Sequence, residues 1–154
     1  MKIYEWVDKN GRGVVTNWPK LQESQRAKLD SKLDMLVNAH VDPKTRQASL
    51  SGLLVGPGFG GQQYIYKLRV RGNVQLRPMI CLGPLGMNEW TVLYPSTEKG
   101  DELIPSDAAA LAEARRLEIL GSSGKSVGEI LTALLFEEPA EFAAGGFEGT
   151  ALCF

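Results

Sequence analysis

The chain is 154 residues long, 44% hydrophobic and 23% charged, with a net charge of −1. That length suits one domain with its own buried core, and the composition is that of a globular protein rather than a disordered or fibrous one. No apolar run reaches the roughly 20 residues of a membrane span, Met1-Lys2-Ile3-Tyr4-Glu5 lacks the apolar segment of a signal peptide, and Cys81 and Cys153 make no disulfide framework. The expectation is a cytoplasmic protein with reduced thiols and no membrane attachment.

Ile3 to Val7 alternates apolar and polar residues as a short strand does, and Asn10-Gly11 marks a turn. A short helix is expected near Val14 to Leu21, although it contains Pro19. A clear one follows from about Ser24 to His40. There Leu29, Leu33, Leu36, Val37 and His40 recur at helical spacing, with Arg26, Lys28, Asp30, Lys32 and Asp34 mostly on the outer side. Asp42-Pro43 ends the helical region. Leu53-Leu54-Val55 reads as a short strand and Gly56 to Gly61 as a glycine-rich loop. Three strands follow, Tyr64 to Arg71, Val74 to Leu82 and Trp90 to Tyr94, separated by turns at Gly72-Asn73 and Gly83-Pro84-Leu85-Gly86. Pro105 introduces a helix from about Ser106 to Leu120. After Gly121 the spacing predicts an amphipathic helix over about 126–138, capped by Ser126 and Glu129, with Val127, Ile130, Leu131, Leu134 and Leu135 on one stripe. Ala140 to Phe154 reads as a tail.

Two glycine motifs resemble nucleotide sites and fail on context. Gly56-Pro57-Gly58-Phe59-Gly60-Gly61 fits GxGxxG, but a strand rather than a helix is expected after it, so it reads as a mobile loop. Gly121-Ser122-Ser123-Gly124-Lys125-Ser126 resembles the end of a P-loop, but Ile119 stands where the first glycine belongs. His40 is the only histidine, which excludes a multi-histidine metal site. No metal and no cofactor is expected.

The charge is divided along the chain. Residues 1–42 hold seven bases and six acids, residues 43–88 six bases and no acid, and residues 89–154 four bases and twelve acids. The six bases of the middle run are Lys44, Arg46, Lys67, Arg69, Arg71 and Arg77. Lys67, Arg69 and Arg71 have period two, so they share one strand face, with Leu68 and Val70 opposite. Like charges crowded this way repel unless an anion or a distant acid relieves them. A three-residue hairpin loop, Gly72-Asn73-Val74, pairs Arg71 with Gln75 and places Arg77 opposite Arg69. That register keeps the guanidinium out of the core and is favoured over a two-residue loop. An anionic ligand is expected on this face, and nucleic acid is the leading class.

The order Tyr66-Lys67-Leu68-Arg69-Val70, turn, Leu76-Arg77-Pro78-Met79-Ile80, then Trp90-Thr91-Val92-Leu93-Tyr94, then Lys99, Pro105, Ala114 and Arg115 resembles the RelE/HigB toxin superfamily, more closely its phage-derived branch. The resemblance covers about residues 1–120, and its motifs are short, so their order carries it. It departs from the family pattern in having a single lysine, Lys99, where two are usual, with Glu98 beside it.

The resemblance implies an α+β fold: N-terminal helices packed on a small twisted, mainly antiparallel sheet. It divides the chain into a toxin-like domain over 1–120 and a C-terminal extension over 121–154. It implies the toxin of a toxin–antitoxin pair, a metal-independent endoribonuclease acting on translated mRNA at the ribosome. The alternative is a non-catalytic binding protein on the same fold, a gyrase-directed or phage-derived interaction module with a decayed nuclease site. The catalytic candidates carried over are Arg77, Lys67, Arg69, Lys99 and Tyr94, with Lys44, Arg46 and Arg71 as RNA-binding residues. Arginine suits the phosphorane by bidentate contact, and a lysine depressed by neighbouring cations, or a tyrosine, suits proton exchange. The implied partners are an antitoxin, mRNA and the ribosome, and the C-terminal helix is a candidate surface for a second copy.

Overall fold

The computed structural model describes residues 2–39, 52–86, 88–122 and 125–130. Within them the chain forms strand β1 (Lys2–Trp6), helix α1 (Glu23–Val37), strands β2 (Leu54–Val55), β3 (Tyr66–Leu68), β4 (Gln75–Leu82), β5 (Glu89–Lys99) and β6 (Glu102–Ile104), helix α2 (Ala108–Gly121) and strand β7 (Val127–Glu129). The architecture is α+β, with two α-helices and a mixed, open sheet in the order β2-β3-β4-β5-β1-β7, and β6 added beside β5. Among the described residues only the β1–β5 pairing is parallel, and the other pairings are antiparallel.

Alternation along the strands sorts the core into two layers, one per face of the sheet. Ile3, Tyr66, Leu68, Val70, Leu76, Ile80, Trp90 and Val92 pack with Leu29, Leu33 and Leu36 of α1. Ile65, Met79, Cys81 and Leu93 pack with Ala108, Ala109, Ala112 and Ile119 of α2. The three α1 leucines are fully buried, each worth about 1.5–3 kcal/mol relative to exposure.

The segment before α1 is not the helix that Val14 to Leu21 suggested. Glu5 is buried in β1, and its carboxylate accepts hydrogen bonds from the Val15 amide (2.7 Å), the Thr16 amide (3.1 Å) and the Thr16 hydroxyl (3.0 Å). The loop therefore wraps around one side chain and turns Val14, Val15 and Trp18 into the core. A β-carbon at Gly13 would overlap the Glu5 carboxyl group, so the wrap needs glycine there. Amides that a helix would leave unpaired at its first turn are satisfied by Glu5 instead.

β5 runs well past Tyr94 to Lys99. Pro78 and Pro95 stand opposite each other in the β4–β5 ladder. Beyond them β5 turns through Gly100, at positive φ, into β6, with Lys99 opposite Glu102. The acidic interval before Pro105 is thus a hairpin.

The largest correction lies after Gly121. Val127–Glu129 is a strand paired with β1, not the start of a helix. The Ser126 hydroxyl meets Glu118 (3.2 Å), not the helical partner Glu129. The edge of β1 was open, and pairing with it satisfies main-chain groups that a short helix would leave at its ends. The Ile130 amide continues the ladder to the Ile3 carbonyl (2.8 Å), and its side chain enters the α1-side core. The rest of the predicted 126–138 helix and the tail lie outside the described residues. Ile130→Ala should cost about 2–5 kcal/mol of unfolding free energy, read as a lower urea midpoint; a loss below about 0.5 kcal/mol would show that this residue is not part of the core.

Candidate functional site

The Val70 and Leu76 backbones exchange two hydrogen bonds, of 3.0 and 2.9 Å. With Tyr66 opposite Ile80 and Lys67 opposite Met79, they fix the β3–β4 register. Arg71 then lies across from Gln75 and Arg69 across from Arg77, as the three-residue loop requires. Lys67, Arg69, Arg71, Gln75, Arg77 and Glu98 line one cleft of about 250 Å³. It holds four cations and one carboxylate.

Glu98 is the carboxylate that sequence reading left out of the site. Gln75 pairs with Glu98 and Arg77 with Ser96 across the β4–β5 ladder. Period two therefore puts Ser96 and Glu98 on the same face as Arg77, and Lys99 on the other. Arg77 donates from Nε to Glu98 at 2.5 Å. Its Nη1 reaches the Leu76 carbonyl (2.9 Å) and the Val70 carbonyl (3.5 Å), and its Nη2 the Gln75 side chain (3.2 Å). Arg77 is 8% exposed, so the register did not keep it out of the interior. It is buried because each charge and most donors have partners.

Lys67 lies over the Phe59 ring at 4.8 Å. Its ammonium is held below the usual lysine range, first by burial and then by Arg69 and Arg77, with Glu98 opposing. The folded state thus disfavours the charged lysine. That penalty is present at neutral pH and fades as pH rises from the folded value towards the unfolded one.

The remaining candidates lie elsewhere. Lys99 sits at the exposed end of β5, opposite Glu102. Tyr94 is on the Arg77 side of the sheet but two rungs away, opposite Met79. There Arg115 of α2 stacks on its ring (4.4 Å) and on Trp6 (3.9 Å), and donates to the Leu93 carbonyl (2.9 Å). This sandwich ties α2 to the sheet. Lys44, Arg46 and His40 fall outside the described residues.

The glycine-rich loop forms a single 3₁₀ turn, Phe59–Gly61, whose approach is tied to the Ile65 carbonyl by the Gly58 and Phe59 amides (3.1 and 3.0 Å). A β-carbon at Gly60 would stand 2.6 Å from Ala109, so the loop packs against α2. It is anchored at both places, against the expectation of a mobile loop, and its role here is to carry Phe59 to Lys67. Cys81 is buried and forms no disulfide. Among the described residues no group of three or more His, Cys, Asp and Glu is placed to hold a metal ion, and no helix is long and apolar enough to cross a membrane.

Lys67 should titrate below the exposed lysines in NMR spectra of the reductively ¹³C-methylated protein. Glu98→Gln should lower its titration point further, because the one opposing charge is lost. A Lys67 resonance that titrates with the exposed lysines would contradict this account of the cleft.

No protein-family model matches the chain, and no curated protein or solved structure matches it significantly.

Proposed function

We propose that this chain is an RNA-cleaving toxin of a toxin–antitoxin pair, working without a metal on translated mRNA. The observation that carries the chemistry is the grouping of Lys67, Arg69, Arg77 and Glu98 around one cleft. Glu98 takes the proton of a ribose 2′-OH. The 2′-oxygen attacks phosphorus, the bond to the 5′-oxygen breaks, and Lys67 gives that oxygen a proton. The products are a 2′,3′-cyclic phosphate and a 5′-OH, with no net consumption of protons. A lysine held below its ordinary range gives up a proton more readily, which suits the acid.

Arg77 has four hydrogen bonds to protein groups, and a guanidinium has five donors. It therefore orients Glu98 and has one N–H left for the phosphate, while Arg69 and Arg71 supply charge at the rim. This shifts the main phosphate contact away from Arg77. The toxin role, the antitoxin and the ribosome rest on the resemblance to the RelE/HigB superfamily, with which the α+β fold is compatible.

Arg77→Ala should abolish growth inhibition on expression. Glu98→Gln keeps the shape but removes the counter-charge of Arg77, so it should lower cleavage by about 10²–10⁴-fold and the unfolding free energy by a few kcal/mol, with rates compared at a temperature where circular dichroism shows the variant folded. Cleavage by Glu98→Gln at the wild-type rate would remove Glu98 as the base.

One observation favours a second reading. Lys99 and Tyr94, two of the five expected catalytic residues, are not in the cleft. A binding protein that holds its target without cutting it would need neither. Mapping RNA ends after expression, with translation running and with it blocked, separates the two: new ends that require translation support the nuclease, and growth arrest with no new ends supports the binder.

A further inference from the structure

A second cleft, of about 330 Å³, adjoins the first. Lys28, Ser31 and Lys32 of α1 form one wall, and Leu53, Arg69 and Arg71 the other. Arg69 and Arg71 line both clefts, so the two meet at these side chains. They differ in character. The first exposes almost only polar atoms; the second exposes mainly apolar surface beneath a cationic rim. Its volume is at the lower end of the range of small-ligand sites, which begins at about 300 Å³.

The walls are held at a fixed spacing. Gln25 of α1 donates to the Val74 carbonyl at 2.9 Å, tying the helix to the hairpin loop. A β-carbon at Gly72 would stand 3.6 Å from the Lys28 ammonium, so this lysine overlooks the turn beside Arg71. The Arg69 amide bonds to the Leu53 carbonyl (2.9 Å), and its guanidinium reaches the Gly52 carbonyl (3.4 Å).

We propose that this second cleft is a nucleoside subsite for single-stranded RNA: the base and ribose next to the reacting phosphate rest on its apolar floor, and the neighbouring phosphate lies among Lys28, Lys32 and Arg71. The proposal rests on reading the first cleft as an RNA phosphate site. A base seated this way cannot remain paired in a duplex, so the substrate is unpaired RNA. The walls offer few groups to read a base edge, so recognition is by shape and charge and tolerates different bases.

The test uses the full chain and a fluorescent hexanucleotide with 2′-O-methyl groups, which cannot be cleaved. Lys28→Ala/Lys32→Ala should bind it about tenfold more weakly, and the slope of log affinity against log salt should fall by about 0.7, the share of one lost phosphate contact. In the wild type, an abasic residue at one position of the hexamer should weaken binding about three- to tenfold, and that penalty should shrink in the double variant. Lys9→Ala/Lys125→Ala removes two exposed charges near β1 and β7, away from the clefts; an equal loss in this control would reduce the effect to bulk charge and overturn the subsite. Abasic residues that cost nothing at any position, with the hexamer still bound, would overturn the subsite and leave the first cleft standing. No binding of the hexamer by the wild type would bring down both.

Discussion

Four cations share one end of a sheet because Glu98 stands among them. Without that carboxylate, Arg77 would be a buried guanidinium with no counter-charge beside three others, a state costing several kcal/mol. With it, Arg77 links four groups: Glu98 on β5, Gln75 and Leu76 on β4, and Val70 beyond β3. One side chain thus ties together the hairpin and the central strand. The same contact keeps a carboxylate, an acceptor, in the cleft also lined by Lys67, a donor whose charge is disfavoured by burial.

Much of this was legible because strands have period two. Lys67, Arg69 and Arg71 could only share a face, and the apolar residues between them could only enter the core. The hairpin register followed from the same rule, but the exposure of Arg77 did not: its guanidinium is buried because Glu98, Gln75 and two carbonyls receive it. Glu98 was hidden by Pro95, since a proline normally argues against continuing a strand. Opposed to Pro78, it marks one interrupted rung rather than an end. Once β5 continues, alternation separates the neighbours Glu98 and Lys99 onto opposite faces, so the carboxylate enters the cleft and the lysine leaves it.

The other misreadings share a cause: tertiary partners overrode local pattern. Val14 to Leu21 has the spacing of a helix, but the Glu5 carboxylate binds two of its amides from a strand far across the loop. Ser126 and Glu129 have the spacing of a capping box, but the open edge of β1 offered a ladder, and Val127–Glu129 took it. Both competitors lie in β1, the first strand of the chain. Neither leaves a signal in the segment that it reorganises, so a reading of the segment alone could not find it.

A net charge of −1 is compatible with an anion site because the field near a surface is local. At physiological salt, charges beyond about 8 Å are largely screened, so the net charge of the whole chain says little about the field at Arg69 and Arg71. Several of the acids also have structural work. Glu113 holds Arg116 (2.8 Å), and Glu118 accepts from Trp6 and Ser126. Of the described acids in the last third, Glu113 and Glu118 lie on α2 and are held in these contacts, while Glu98 is the one that lines the cleft. The acid-free run supplies the β3–β4 hairpin, so the cations that line the cleft have one carboxylate among them, and it is the local balance rather than the net charge that an anion would meet there.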